Sequence, residues 1–205
     1  MKNIARILFF LFCSVVLTGC AGGVLSKNLV GLEDYRLDPK KIDGTWIGDG
    51  GALLLKTVDR DKGILKVIVL EDPGDAFSLK EGPMEIKIMK GKEWLYFTIL
   101  SPRDDTVPPG NVKPDGSENA YLWGRVVIND RSIVYWLPSM GPFVQAIEQK
   151  MLAGILEQKV NDDGTSRASS VLITDTPKNL ITLIETYDRT YFDWDDPVFL
   201  LKVTK

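Results

Sequence analysis

"AYLWGRVVINDRSIVYWLP", residues Ala120–Pro138, reads as two strands and the turn between them. Ala120–Ile128 and Ser132–Pro138 are rich in Val, Ile, Tyr and Trp, and the polar run Asn129–Arg131 separates them. β-branched and aromatic runs joined by a short polar turn predict an antiparallel hairpin. The same grammar extends towards the amino terminus. "TWIGD" leads into Ala52–Val58, the turn Asp59–Gly63 and then Ile64–Leu70. Met84–Lys90 alternates, with Met84, Ile86 and Ile88 on one face and Glu85 and Lys87 on the other, and the Gly91 turn leads to Glu93–Leu100. Strands this numerous in a meander curl into a barrel or half-barrel rather than stay flat.

After Pro138 the period changes. In Gly141–Lys159, Val144, Ile147, Met151 and Ile155 recur at helical spacing, with Pro142 suited to a first turn. A polar turn, Asn161–Ser166, precedes a short strand, Ser170–Thr174. The second helix is predicted over Asp175–Tyr187, with Thr176 as N-cap, Pro177 at the first position, and Leu180, Leu183, Ile184 and Tyr187 as one apolar stripe. Val198–Thr204 closes the chain as a strand. The expected fold class is α+β, mainly β: a curved antiparallel meander sheet, barrel or half-barrel, with two helices in the C-terminal third packed on it or plugging it.

Composition excludes several chemistries. The 205-residue chain is 44% hydrophobic and 26% charged, an ordinary globular balance that can bury a core. It contains no histidine, and its cysteines are Cys13 and Cys20. Ser-His-Asp and Cys-His catalysis both need an imidazole base, so neither can be built, and zinc and haem sites lose their usual ligands. The net charge is −3, with no basic block, which disfavours nucleic acid as a partner. No cofactor or metal site is expected.

At the amino terminus Lys2 and Arg6 precede the apolar run Ile7–Leu17. That run is shorter than the roughly 20 residues of a membrane span and suits the core of a signal peptide. Leu17-Thr18-Gly19-Cys20 then resembles the lipobox of bacterial lipoproteins. The resemblance implies cleavage after Gly19, a diacylglyceryl group on the Cys20 sulfur and acylation of the new amino terminus. Two or three acyl chains anchor stably where a single chain does not. It also implies a cell-envelope location and, because Ala21 stands where an Asp would signal inner-membrane retention, the outer membrane facing the periplasm if the organism is Gram-negative. Loss of the leader takes the charge from −3 to −5, since Lys2 and Arg6 leave with it. The expected organisation is a leader over residues 1–19, a lipidated tether over 20–41 and one globular domain over 42–205.

Gly44-Thr45-Trp46, at the opening of the first domain strand, resembles the G-x-W start of lipocalins and related small-ligand barrels. There the tryptophan closes the barrel floor against a basic residue from a late strand. The resemblance implies a small apolar ligand inside a barrel. Trp46, Tyr96, Trp123 and Tyr135 are the candidate pocket residues, and the alternative is that such rings simply fill the interior. The long Pro- and Gly-rich stretch Ser101–Asn119 suits contact with an envelope protein. Asp193, Asp195 and Asp196 form an acidic cluster that could serve a carboxylate hydrolase on envelope glycans, or be a solvated turn before a strand. Ligand binding, an interaction module and a hydrolase are thus the three readings, in that order.

Overall fold

The computed structural model describes residues 23–48, 51–71, 78–79, 84–100, 120–160 and 165–203. The strands are β1 (Val24–Ser26), β2 (Glu33–Asp34), β3 (Gly44–Gly48), β4 (Gly51–Asp59), β5 (Ile64–Glu71), β6 (Ser78–Leu79) and β7 (Met84–Lys90). They continue with β8 (Leu95–Leu100), β9 (Tyr121–Ile128), β10 (Ser132–Trp136), β11 (Gly154–Val160), β12 (Ser166–Ile173) and β13 (Val198–Lys202). The helices are α1 (Pro39–Ile42), α2 (Met140–Glu148) and α3 (Pro177–Thr186).

The meander closes on itself. β3, β4, β5, β7, β8, β9, β10 and β13 pair in that order, every pair antiparallel, and β13 returns to β3 through Lys202↔Trp46 and Leu201↔Ile47. The α+β, mainly β expectation therefore resolves as a closed eight-stranded barrel. Between β10 and β13 the chain makes an excursion through α2, β11, β12 and α3. There β12 pairs antiparallel with β11 and parallel with β1, and β1 joins the start of β9.

Alternation along the strands sorts the side chains into two cores. Inside the barrel lie Trp46, Leu55, Leu65, Val67, Ile88, Phe97, Val126, Ile133 and Leu200, all buried. Outside, Tyr96, Trp123, Phe143, Ala146, Val171, Ile173, Leu180, Ile181 and Ile184 form a second core between the β8–β9–β10 wall and the helical excursion. α2 and α3 therefore pack on the outside of the barrel and do not plug it.

Two expectations change. The helix expected over Gly141–Lys159 stops at Glu148, Lys150 takes φ +60°, and Gly154–Val160 is a strand. The left-handed turn ends the helical period, and pairing with β12 overrides local propensity. Met151 and Ile155, read as part of the apolar stripe, are 48% and 44% exposed, and the true buried face of α2 is Phe143 and Ala146. Within the segment expected as a tether over 20–41, Val24, Val30 and Leu37 are built into the fold, each at most 4% exposed. α3 keeps its predicted start, with the Thr176 hydroxyl accepting from the Asn179 N–H and Pro177 in the first turn. Its stripe is Leu180, Ile181 and Ile184, whereas Tyr187 is 53% exposed.

Incorporation of the N-terminal segment has a measurable consequence. Leu37→Ala should destabilise the protein by about 2–4 kcal/mol, as core truncations do. Urea unfolding reads this, and a change within about 0.5 kcal/mol, the surface range, would return the segment to a tether.

Candidate functional site

One end of the barrel is closed by α1 and its neighbours. The Asp38 carboxylate accepts from the Lys40 N–H at 3.1 Å and Pro39 occupies the first turn, so this short helix starts where the sequence allows it. It sets Ile42 against Trp46, whose indole N–H donates to the Ile42 carbonyl at 2.8 Å. Lys202 lies directly across from Trp46 on β13, its ammonium 5.4 Å from the ring centre. The same ammonium donates to the carbonyls of Lys40 and Lys41 at 2.8 and 2.7 Å. One cation thus satisfies the open carbonyls at the end of α1 and covers the face of the tryptophan. Gly44 takes φ +138°, and a Cβ there would stand 3.3 Å from Lys202 Cε, so glycine keeps both the turn and the lysine's path.

Asp43, between α1 and β3, ties this floor to β4. Its carboxylate accepts from the Thr57 N–H at 2.7 Å, the Thr57 hydroxyl at 2.6 Å and the Lys56 ammonium at 2.6 Å. Partial burial works against its charge, but the bonds from Lys56 and Thr57 outweigh it and hold the carboxyl below the usual range.

Above the floor the interior is apolar, and its burial is uneven. Leu55, Leu65 and Ile88 are at most 5% exposed. On the same faces, Leu53, Val69, Met84, Ile86 and Ile99 away from α1, and Leu95 and Ile128 nearer to it, are half-buried. Leu53 pairs with Val69 and Ile86 with Ile99, so these residues form neighbouring steps on adjacent strands.

The four aromatic candidates do not line one pocket. Trp46 and Tyr135 face the interior, where Tyr135 meets Phe97 edge-on at 5.5 Å. Tyr96 and Trp123 have the opposite parity and lie in the outer core. Arg125 shares their face and is 2% exposed. Its guanidinium carbon lies 3.2 Å from the centre of the Trp94 ring and 4.4 Å from that of Trp194, with Trp136 at 5.8 Å. Its Nη1 donates to Asp188 at 2.7 Å, while burial lowers its pKa and Asp188 opposes that shift. Beside it the Tyr96 hydroxyl donates to Glu185 at 3.1 Å, and burial, reinforced by that carboxylate, raises the phenol's pKa. The cluster fastens α3 and the turn after it to the barrel wall.

Asp193, Asp195 and Asp196 are exposed on a turn, while Trp194 between them turns inward onto Arg125. Among the described residues no group of acidic, Cys or His side chains is placed to hold a metal. Cys20, Gly19 and the stretch Ser101–Asn119 lie outside the described residues. The reading of the sequence did not single out Lys202, Arg125, Asp188 or Glu185. Arg125 had a signal, as the one charge in "YLWGRVVI" with the parity of Trp123, and Lys202 had one, as the one basic residue of the last strand, where the resemblance sets a basic partner for the tryptophan; Asp188 and Glu185 depend on tertiary contact. In comparisons with known proteins, no family model, curated protein or solved structure matches the chain.

Two outcomes follow from this geometry. Arg125→Ala should cost about 3 kcal/mol through lost stacking and pairing, and Arg125→Lys should recover less than about half, because an ammonium cannot stack flat between rings. Chemical denaturation reads both, and an Arg125→Ala cost within surface range would refute the clamp. The depressed pKa of Asp43 stabilises the fold above its unfolded value of about 4 and is lost as pH falls through the folded value. The stability gap between wild type and Asp43→Asn should therefore close as pH falls below the unfolded carboxyl value of about 4, whereas a constant gap would disprove the linkage.

Proposed function

We propose that this chain is a lipid-anchored protein of the bacterial cell envelope whose barrel, similar to lipocalins, binds a small apolar ligand or lipid without catalysing a reaction. The observation that carries the reading is the apolar barrel interior above a closed floor. One end is sealed by Trp46, Lys202 and α1, and the half-buried apolar steps Leu53, Val69, Met84, Ile86 and Ile99 lie towards the other. An eight-stranded barrel has room for its own side chains or for one small ligand, and such sites are apolar with few polar groups. The lipobox at Leu17–Cys20 supports the anchor, and the absence of histidine supports binding over chemistry.

A second reading, an interaction module of an envelope assembly, draws on the outer surface. Ile47, Leu54, Phe199 and Leu201 point outward from β3, β4 and β13 and are 52%, 39%, 53% and 62% exposed. Leu201 and Ile47 are direct cross-strand neighbours, so the patch is contiguous. A carboxylate hydrolase has the least support, because Asp193, Asp195 and Asp196 occupy an exposed turn.

Native mass spectrometry of the full chain purified from its own envelope tests the leading reading. The expected spectrum shows acyl groups on Cys20, absent in Cys20→Ala, and an apolar molecule bound non-covalently. Ile86→Trp and Ile99→Trp should abolish that bound mass while leaving the thermal midpoint close to wild type. A wild-type chain that carries no ligand and takes up no fluorescent fatty-acid probe would overturn it.

A further inference from the structure

β11 ends the sheet. It pairs with β12 on one side and, among the described residues, with no strand on the other. Such an edge presents a row of backbone N–H and C=O groups to any strand that can reach it. Edges are commonly blunted by proline, by a bulge or by charges that repel a second copy. β11 contains no proline, and the irregularity in its ladder falls on β12, where Ala168 and Ser170 flank an extra residue. Its two charges, Glu157 and Lys159, are opposite in sign and two positions apart, hence on one face.

That spacing is self-complementary. When two copies of one strand pair antiparallel in a continuous sheet, a two-fold axis perpendicular to the sheet preserves both faces and must pass through a residue. An axis through Glu157 or Lys159 sets like charges against each other. An axis through Gln158 sets Glu157 of each copy opposite Lys159 of the other. Within its own chain Lys159 already faces Arg167 across the hairpin, a like-charge pair directly opposed and unfavourable. A carboxylate arriving on the open side of Lys159 relieves it. The Glu157 carboxylate accepts from the Ser170 hydroxyl on β12, and Ile155, on the same face as Glu157, is 44% exposed.

We propose that β11 pairs antiparallel with β11 of a second copy about an axis through Gln158, so that the chain forms a homodimer with one sheet running through β1–β12–β11 of both copies. The test is sedimentation velocity on the full chain in detergent micelles, with circular dichroism to verify the fold of each variant. Wild type should be dimeric. Glu157→Lys and Lys159→Glu should each weaken self-association by roughly tenfold or more, because each sets like charges opposite one another. Mixed in equal amounts, these two variants should form a heterodimer. The double variant Glu157→Lys/Lys159→Glu keeps a complementary strand and should dimerise like wild type, which separates a register effect from damage to the hairpin. A monomeric wild type, the result expected if the edge instead serves a strand of another protein, would overturn the proposal. So would single variants that dimerise as wild type does, or a mixture that stays monomeric.

Discussion

The β8–β9–β10 wall is apolar on both faces, and both faces must be covered. Phe97, Val126 and Ile133 point into the barrel, while Tyr96, Trp123 and Trp136 point out of it. A sheet face of this kind left in water would forfeit the burial that drives folding, at about 25 cal/mol for each Å² of apolar surface. Barrel closure covers the inner face. The outer face recruits α2, α3 and the N-terminal segment, which is why an excursion of two helices and two strands interrupts the barrel before its last strand.

Arg125 follows from the same constraint. A guanidinium in the outer core has to replace its hydration with something, and it finds ring faces on Trp94 and Trp194 and a carboxylate on Asp188. Asp188 is half-exposed, so the ion pair keeps one partner in contact with water and avoids the full penalty of a doubly buried pair. The floor solves the equivalent problem differently. Lys202 keeps its charge at the barrel end and exchanges water for two carbonyls that α1 leaves open. The barrel is thus fastened by a cation on each side of its wall, one across the inner floor and one in the outer layer.

Much of this was legible in the chain. Period-two alternation in Met84–Lys90 and the β-branched and aromatic runs of Ala120–Pro138 are local properties, and they located β7, two of the wall strands and the hairpin that joins those two. The capping of α3 was legible for the same reason, since Thr176 and Pro177 act on the turn that contains them. The α2–β11 boundary was not, because Met151 and Ile155 continue a helical spacing that only the pairing of β11 with β12 overrules. The pocket candidates were half legible. Their residue type pointed to burial, but an aromatic side chain carries no mark of which face of a two-sided wall it will occupy.

By itself the sequence determined the local terms: strand period, turn chemistry, a helix cap, and the absence of the imidazole that much catalysis requires. These depend on neighbours along the chain, and the chain lists its neighbours. Tertiary structure decided the rest: closure of the meander into eight strands, the partition of one wall between two cores, Lys202 across from Trp46, and the inclusion of residues 24–42 in the fold. Each of these joins groups far apart in the sequence. Such contacts form only where apolar surface on both partners is removed from water together, and no local spacing encodes that.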